Sequence, residues 1–287
     1  MKTFHHIVSE LAQTYPEGEA RALARWLLED RFGLSQTDIL LDKDNELSAD
    51  DRAILQEITL RLLRCEPIQY ILGHTDFCNH RFFTGPEALI PRPETQQLVH
   101  LVVDGVSHTV PAGFSGSILD IGTGTGCIAL SLSLALPQAH VTGWDVSEAA
   151  LLLARRNAAL YPQTKVTFEQ RDILQPPVDD RQWDVIVSNP PYVRKSEARE
   201  MDSNVLRYEP HLALFVPDED PLRFYRAIGR YAQVHLVPGG MLYFEINQAF
   251  GAETSDLIEE FGFRNVTVLK DEYSHDRFVV TCKPSLS

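Results

Sequence analysis

Short apolar segments alternate with helical segments over residues 117–282, and this alternation limits the possible folds more than any other feature. Strands are predicted at 117–121, 140–144, 165–170, 183–188, 240–246, 265–269 and 277–282. Helices are predicted at 127–136, 147–161, 222–236 and 253–261. Repeated strand–helix alternation is typical of a doubly wound, mostly parallel α/β sheet. The last two strands have no helix between them, so they must run antiparallel if they are neighbours.

The first 73 residues have the spacing of helices. Leu23, Trp26 and Leu27 recur at i, i+3 and i+4, which places them on one helix face. Gly33 follows them where a C-cap glycine is expected, and Ser48-Ala-Asp-Asp51 resembles a capping box that opens the next helix. The sequence therefore predicts a small all-helical domain over residues 1–73.

A short segment of different character follows the helical region. Residues 75–78 and 81–84 are aromatic-rich and flank Asn79-His80, which predicts a β-hairpin. Pro91 and Pro93 exclude a helix interior, and a helix is predicted to begin at Pro93. Three parts are expected: a helical domain over 1–73, a hairpin linker over 74–91 and an α/β domain over 92–287.

The net charge of −14 restricts the partners of the chain. A protein that grips duplex DNA through many phosphates usually has a basic face, so this charge argues against direct nucleic-acid binding. No run of 18 apolar residues and no secretory signal is found, which excludes a membrane span and predicts a cytoplasmic protein. The four cysteines form no CxxC pair, so neither a metal site nor a disulfide framework is expected.

Gly122-Thr-Gly-Thr-Gly126 lies between a predicted strand and a predicted helix. Ligands of open α/β sheets bind in the crevice beyond the strand ends, and glycines let a ligand approach the backbone there. A dinucleotide fingerprint would need glycine at position 127, where this chain has Cys127. The spacing favours a loop for S-adenosylmethionine (SAM), which has no pyrophosphate to hold; a plain tight turn is the alternative.

Two acidic residues stand at the ends of the next two strands. Asp145 is placed to accept hydrogen bonds from both hydroxyls of a ribose, and Asp172 is placed to accept one from an adenine amino group. Either residue alone has the alternative role of a helix cap or a solvated strand end. Together with the glycine loop they predict nucleoside binding.

Asn189-Pro-Pro-Tyr192 follows the fourth strand of this alternation. Pro190 and Pro191 stiffen the loop and offer carbonyl acceptors without N–H donors. The Asn189 side-chain oxygen and the Pro190 carbonyl are therefore predicted to hold the two hydrogens of a planar NH₂ group. Tyr192 is predicted to supply an aromatic face to a planar substrate.

These motifs resemble those of SAM-dependent methyltransferases that modify exocyclic or amide nitrogen. Three further segments are Pro67-Ile-Gln-Tyr-Ile-Leu-Gly73, Leu89-Ile-Pro-Arg-Pro-Glu-Thr95 and Tyr208-Glu-Pro-His-Leu-Ala-Leu-Phe215. They are similar to segments of the peptide chain release factor glutamine methyltransferases, the PrmC/HemK family. The resemblance covers almost the whole chain. One departure is Gln96-Gln97, where the family usually has acidic residues after its Arg-Pro-Glu-Thr segment.

The resemblance implies a Rossmann-like SAM-dependent methyltransferase fold with a seven-stranded sheet, a helical N-terminal substrate-recognition domain and a hairpin linker. It implies methylation of the glutamine in the Gly-Gly-Gln motif of class I release factors, with S-adenosylhomocysteine as the second product and no metal. Asn189 is expected to touch both SAM and substrate, and Asn189, Pro190, Pro191 and Tyr192 to hold the glutamine. The residues expected to contact SAM are Gly122, Thr123, Gly124, Thr125, Gly126, Asp145, Asp172, Ile173 and Asn189.

Other residues keep two interpretations at this level. Phe77 and the Arg-Pro-Glu-Thr segment are candidates to wall the aliphatic part of the glutamine, but Phe77 is equally suited to core packing in the hairpin. Arg92 either binds a carboxylate of substrate or cofactor or pairs with Glu94. Basic residues after the Asn-Pro-Pro-Tyr loop, among them Arg194 and Lys195, belong either to a docking surface or to a solvated mixed face, because acids are interleaved.

Two rival functions use the same motifs. A DNA adenine methyltransferase shares the Asn-Pro-Pro-Tyr chemistry but needs a basic groove and a base-reading domain, which the acidic N-terminal region does not suggest. A non-catalytic SAM-binding module is the second rival, and the intact glycine loop and Asn189 argue against it.

Overall fold

The structure is a computed structural model that describes residues 3–41, 43–109 and 113–285, without the side chains of 108 and 109. This description leaves out residues 1, 2 and 42 of the predicted helical domain. It also leaves out residues 110–112, 286 and 287. The strands are β1 His74–Phe77, β2 His80–Phe83, β3 Ser117–Ile121, β4 His140–Asp145, β5 Val166–Gln170, β6 Trp183–Ser188, β7 Val193–Arg194, β8 Phe215–Val216, β9 Leu236–Glu245, β10 Arg264–Lys270 and β11 Asp276–Cys282.

The helices fall in both compact units of the chain. The α-helices are α1 Thr3–Leu11, α2 Glu17–Phe32, α3 Gln36–Leu40, α4 Ala49–Leu63, α5 Ile68–Leu72, α6 Pro93–Thr109, α7 Cys127–Ala135, α8 Glu148–Ala158, α9 Ser203–Tyr208, α10 Arg223–His235 and α11 Gly251–Glu260. Those that pack on the seven-stranded sheet include α6, α7, α10 and α11. Short 3₁₀ helices cover Lys43–Glu46, Lys195–Glu200, His211–Ala213 and Gln248–Phe250. No helix among the described residues is both long and apolar enough to cross a membrane.

A seven-stranded sheet with the order β10-β11-β9-β6-β3-β4-β5 forms the centre of the larger of two compact units, which comprises Thr75–Met201 and Glu209–Ser287. Strands β3, β4, β5, β6 and β9 are parallel, while β11 runs antiparallel to both β9 and β10. The α/β fold class with a mostly parallel seven-stranded sheet is therefore confirmed. The antiparallel closing pair also has the direction that its missing crossover helix requires.

The two faces of the sheet pack against different helices because successive residues of a strand point to opposite sides. On one face Ile118 and Val185 pack with apolar residues of α6 and α7. On the other face Leu119 and Ile186 pack with residues of α10 and α11. Burial on both faces explains why these strands are continuous apolar runs rather than alternating ones.

Strand register brings the functional loops to one edge of the sheet. Ile121, the last residue of β3, lies opposite Trp144 of β4 and Ser188 of β6. Ser188 in turn lies opposite Phe244 of β9. The residues that follow these strand ends therefore emerge side by side, although they are far apart in the chain.

The hairpin of β1 and β2 differs by one residue from the predicted one. Its turn is Cys78-Asn79, where φ is 48° and 60°, rather than Asn79-His80. Two consecutive positive φ angles define a two-residue turn whose twist matches that of the strands, and asparagine tolerates this conformation well. The shift is set by the burial of Phe77 and Phe82, whose rings meet edge to face at 6.1 Å.

The second compact unit comprises Met1–His74 together with Asp202–Tyr208, a segment that lies within the range 92–287. Its core is formed by apolar residues of α1, α2 and α4, including Leu11, Leu27 and Leu62, which are fully buried. The predicted helix ends are present: Gly33 terminates α2 at φ 68°, and Ser48 Oγ accepts the Asp51 N–H at the start of α4. Tyr208 of α9 donates its hydroxyl to the Arg64 carbonyl within this unit.

Candidate active site

An open cavity lies in the larger unit, at the edge of the sheet where β3, β4 and β6 end. Eleven of the predicted site residues line it: Gly122, Thr123, Gly124, Thr125, Asp145, Asp172, Ile173, Asn189, Pro190, Pro191 and Arg92. Three others do not, namely Gly126, Tyr192 and Phe77. The cavity also contains Ala88, Cys127 and Thr95, which the sequence motifs did not single out as individual contacts.

The glycine loop is tied to the end of β4 by backbone hydrogen bonds. The N–H groups of Gly122 and Thr123 both donate to the Trp144 carbonyl, at 2.8 and 2.9 Å. The Gly124 N–H donates to Asp145 Oδ2 at 2.9 Å. The loop is thereby held in one conformation beside the acidic residue that is predicted to share its ligand.

Gly126 has a packing role rather than a place in the cavity wall. It begins α7 with φ 80°, and a Cβ atom there would lie 3.1 Å from both Ala154 Cβ and the Phe168 ring. The structure thus gives Gly126 a packing reason to be glycine, and its contact with the cofactor stays a prediction. A residue without a side chain is needed at this position because the loop passes directly over α8 and β5.

Asp145 presents a rigid carboxylate to the cavity. Its Oδ2 accepts the Gly124 N–H and its Oδ1 accepts the Ser147 N–H, both at 2.9 Å. Burial raises the pKa of this carboxyl, while the backbone donors act in the opposite direction. Each oxygen keeps further acceptor capacity, since a carboxylate oxygen has more than one lone pair.

The loop that follows β5 contributes one polar and one apolar residue to the cavity, Asp172 and Ile173. Asp172 Oδ1 accepts the Leu174 N–H at 2.9 Å, which fixes the turn that follows β5. Ile173 is buried at 8% exposure and lines the cavity. Asp172 therefore stabilises a turn rather than capping a helix, and it also lines the cavity.

The Asn189-Pro-Pro-Tyr192 loop divides between the cavity and the interior. Asn189 Nδ2 donates to Thr95 Oγ1 at 3.1 Å, and no hydrogen bond joins Asn189 Oδ1 to another described residue. The Tyr192 hydroxyl donates to Glu245 Oε1 at 3.1 Å, and its ring packs against the buried cluster of the second sheet face. Tyr192 is thus a half-buried hydrogen-bond donor that does not line the cavity, and its role as an aromatic face for the substrate stays a prediction.

Glu245 is a buried carboxylate that the sequence motifs missed. It ends β9 at 1% exposure and accepts a hydrogen bond from Thr95 Oγ1 at 2.7 Å as well as that from Tyr192. Burial raises its pKa, opposed by these two donors and by the charge of Arg277. An acidic residue at the end of an otherwise apolar strand was the available signal, but its partners come from distant segments.

Arg92 pairs with Glu209 and not with Glu94. Arg92 Nη2 lies 2.6 Å from Glu209 Oε1, and Glu209 Oε2 also accepts the Ile90 N–H at 3.1 Å. The Glu209 side chain is 1% exposed. The guanidinium therefore lines the cavity with its charge already compensated, which argues against a free carboxylate-binding role.

The structure also shows the surroundings of Phe77 and Arg194, each of which had two interpretations from the sequence. Phe77 is 1% exposed and packs in the core of the first sheet face, which is the core-packing alternative. Arg194 pairs with Glu197, with Nη2 and Oε1 3.2 Å apart, as expected for a mixed surface.

The combination of this sheet topology, the glycine loop and the acidic strand end defines the class: the fold is that of SAM-dependent methyltransferases. The methyltransferase small domain family matches residues 101–207, and the PrmC N-terminal domain family matches residues 2–73. A methyltransferase from Pyrococcus furiosus has the same fold, with a TM-score of 0.51 and 19% identity over 71% of this chain and 88% of that one.

Comparison with curated relatives defines the family more closely. The release factor glutamine methyltransferase of Bacteroides thetaiotaomicron is 46% identical over 275 residues, 96% of each chain. That of Flavobacterium psychrophilum is 44% identical over 274 residues, 95% of each chain. The chain belongs to the release factor glutamine methyltransferase family.

Proposed function

We propose that the protein transfers a methyl group from SAM to the side-chain amide nitrogen of the glutamine in the Gly-Gly-Gln motif of class I release factors. This modification would modulate translation termination. The observation that carries the proposal is Asn189: its Nδ2 is engaged by Thr95, and its Oδ1 is left for an amide N–H at the cavity. The relatives named as release factor glutamine methyltransferases supply the substrate class.

The residues around the cavity suit SAM. Asp145 has rigid acceptor oxygens for the two ribose hydroxyls, and Gly122, Thr123, Gly124 and Thr125 form the adjacent wall. Asp172 and Ile173 offer an acceptor and an apolar surface for adenine. When bound, SAM supplies an electrophilic methyl group on a sulfonium. Among the described residues, no group of three or more His, Cys, Asp or Glu side chains is placed to hold a metal ion.

The substrate presents a chemical difficulty that the Asn189 loop addresses. An amide nitrogen is a weak nucleophile because its lone pair is delocalised into the carbonyl. Asn189 Oδ1 and the Pro190 carbonyl would accept the two N–H hydrogens and hold the nitrogen in line for transfer. These hydrogen bonds strengthen as positive charge grows on the nitrogen, so they stabilise the transition state more than the ground state. Transfer would break the sulfonium–methyl bond, release S-adenosylhomocysteine and form the N–CH₃ bond; one N–H proton would then leave to solvent, with no residue assigned as general base.

The remaining parts of the chain have roles within the same proposal. Residues 1–73 would serve as the substrate-recognition domain, 74–91 as the linker and 92–287 as the catalytic domain. The release factor would be met in the cytoplasm, and the net charge of −14 argues against direct nucleic-acid binding.

Transfer of labelled methyl from SAM to a class I release factor tests the proposal. A release factor with the motif glutamine changed to alanine is the matched control. Label on the unchanged factor alone supports the proposal. Absence of label on both, with SAM binding demonstrated, contradicts it and directs attention to DNA adenine as the acceptor.

A further inference from the structure

Three hydrogen bonds, one buried and two partly buried, form a continuous network behind Asn189. Asn189 Nδ2 donates to Thr95 Oγ1 at 3.1 Å, and Thr95 Oγ1 donates to Glu245 Oε2 at 2.7 Å. The Tyr192 hydroxyl donates to the other carboxylate oxygen, Glu245 Oε1, at 3.1 Å. The members come from the loop after β6, the first turn of α6 and the end of β9.

The Glu245 carboxylate fixes which atom donates and which accepts in each of these hydrogen bonds. Thr95 Oγ1 donates its one hydroxyl hydrogen to Glu245 Oε2. Thr95 Oγ1 then has only lone pairs left for its second neighbour. That neighbour must present an N–H, which places the NH₂ of the Asn189 amide toward Thr95 and its Oδ1 away from Thr95.

The opposite orientation of the Asn189 amide would be unproductive. It would turn an NH₂ group toward the substrate NH₂, so that two donors faced each other and the acceptor was lost. The energetic preference is strong because Thr95 and Glu245 are 3% and 1% exposed, which leaves little room for water to replace a lost partner. An amide side chain without such a partner rotates between two states of similar shape.

We propose that Thr95 and Glu245 are positioning residues that orient the Asn189 amide, so that its carbonyl oxygen faces the acceptor nitrogen of the substrate. Tyr192 serves the same end by occupying Glu245 Oε1, which leaves Oε2 to Thr95. The expected effect on methyl transfer rests on the proposed function, whereas the orientation of the Asn189 amide is a property of the folded protein itself.

Thr95→Val tests the proposal because valine has the shape of threonine without its hydroxyl. We expect kcat for release-factor methylation to fall about 10- to 100-fold, with KM for the release factor changed by less than about twofold. Thr95→Ser restores the hydroxyl and is expected to recover most of the activity. Thr281→Val is the matched control, since Thr281 is equally buried and donates its hydroxyl to the Arg264 carbonyl outside the cavity.

A double-substitution cycle separates positioning from general structural support. If Thr95 acts through Asn189, Thr95→Val has little further effect on kcat once Asn189→Ala is present. Equal effects of Thr95→Val in both backgrounds would overturn the proposal. The proposal would also be overturned if the wild-type protein methylates the release factor and Thr95→Val, as a single substitution, does so with the same kcat.

The side-chain amide signal of Asn189 in ¹⁵N-resolved NMR gives a readout that does not depend on turnover. We expect Thr95→Val to shift this signal and speed the exchange of its protons, while Thr281→Val leaves it unchanged. An unchanged signal in Thr95→Val overturns the proposed orientation. A changed signal in a protein that fails to methylate any release factor supports the orientation and contradicts the proposed function.

Discussion

Arg92 and Glu209, 117 positions apart in the chain, meet at the cavity with Arg92 Nη2 2.6 Å from Glu209 Oε1. The Glu209 side chain is 1% exposed, whereas that of Arg92 is 32% exposed. Glu209 also accepts the Ile90 N–H. One buried carboxylate thus holds the segment before α6 against the segment that precedes β8.

Removal of the arginine from this pair is expected to destabilise the larger unit. Arg92→Ala leaves the Glu209 carboxylate buried with the Ile90 N–H as its remaining donor. We expect a loss of about 1–3 kcal/mol in the free energy of unfolding, less than for a fully buried pair because Arg92 is partly solvated. Urea unfolding followed by tryptophan fluorescence measures it. Arg21→Ala, which breaks an exposed pair with Glu17, should change stability by less than about 0.5 kcal/mol.

Asn189→Ala is expected to reduce methyl transfer without preventing SAM binding. The change removes one of the two acceptors proposed for the substrate amide. By analogy with loss of one oxyanion-hole donor, the transition state should lose about 2–4 kcal/mol. The measurement is kcat on a class I release factor, with calorimetric SAM binding to show that the cavity is intact. Near-normal turnover with SAM bound would exclude this role for Asn189.

Asp145→Ala is expected to weaken SAM binding. It removes a charged acceptor for the ribose hydroxyls and leaves the Gly124 and Ser147 N–H groups without their partner. Hydrogen bonds to charged groups contribute roughly 1.5–3 kcal/mol, so Kd should rise about 10- to 100-fold. Titration calorimetry provides the test. Glu148→Ala, a neighbouring exposed acid paired with Arg155, should leave Kd unchanged; equal effects of the two variants would count against the ribose assignment.

Gly126→Ala is expected to destabilise the larger unit through both backbone conformation and packing. The residue has φ 80°, and the added Cβ would stand 3.1 Å from Ala154 Cβ and the Phe168 ring. We expect a loss of about 2–4 kcal/mol in thermal or urea unfolding. Gly262→Ala isolates the backbone contribution, since Gly262 has φ 86° with nothing within 4 Å, and should lose only about 1 kcal/mol.

Asp120→Asn is expected to make stability less dependent on pH. Asp120 is fully buried before the glycine loop, and burial raises its pKa from 3.8 to about 7. Between these values the native state holds a proton that the unfolded state has lost, so rising pH lowers stability. Above about pH 7 both states are ionised and the penalty becomes constant. The variant lacks this penalty.

The stability gap between Asp120→Asn and the wild type should therefore widen by roughly 1.4 kcal/mol per pH unit across that window. Urea unfolding at several pH values, without SAM, measures the gap. A gap that does not change with pH would show that Asp120 ionises normally in the native state.

Local chemistry explains which elements were predictable. Apolar runs bounded by Gly and Pro predicted the strands, and the absence of a helix between the last two predicted their antiparallel pairing. Pro93 and Gly33 stand at helix ends for reasons that involve only their own backbone. The hairpin turn was placed one residue late because the burial of Phe77 and Phe82, not the turn residues alone, selects the register.

What the sequence left undecided or missed within the site concerns the partners of side chains. For Arg92 the sequence left open a carboxylate of substrate or cofactor and its near neighbour Glu94, whereas its partner is Glu209. Tyr192 was expected to face the cavity but donates to Glu245. Thr95 and Glu245 were missed individually, because neither belongs to a motif that shows which atom it will meet.

The sequence by itself determined the strand–helix alternation, the helical N-terminal region and the loops at which the chain would bind a ligand. These follow from periodicity and from residues whose backbone preferences are intrinsic. Tertiary structure alone decided the direction of the Asn189 amide and the pairing of Arg92. A hydrogen bond depends on two atoms within about 3 Å, and that proximity is created by sheet register between segments distant in the chain.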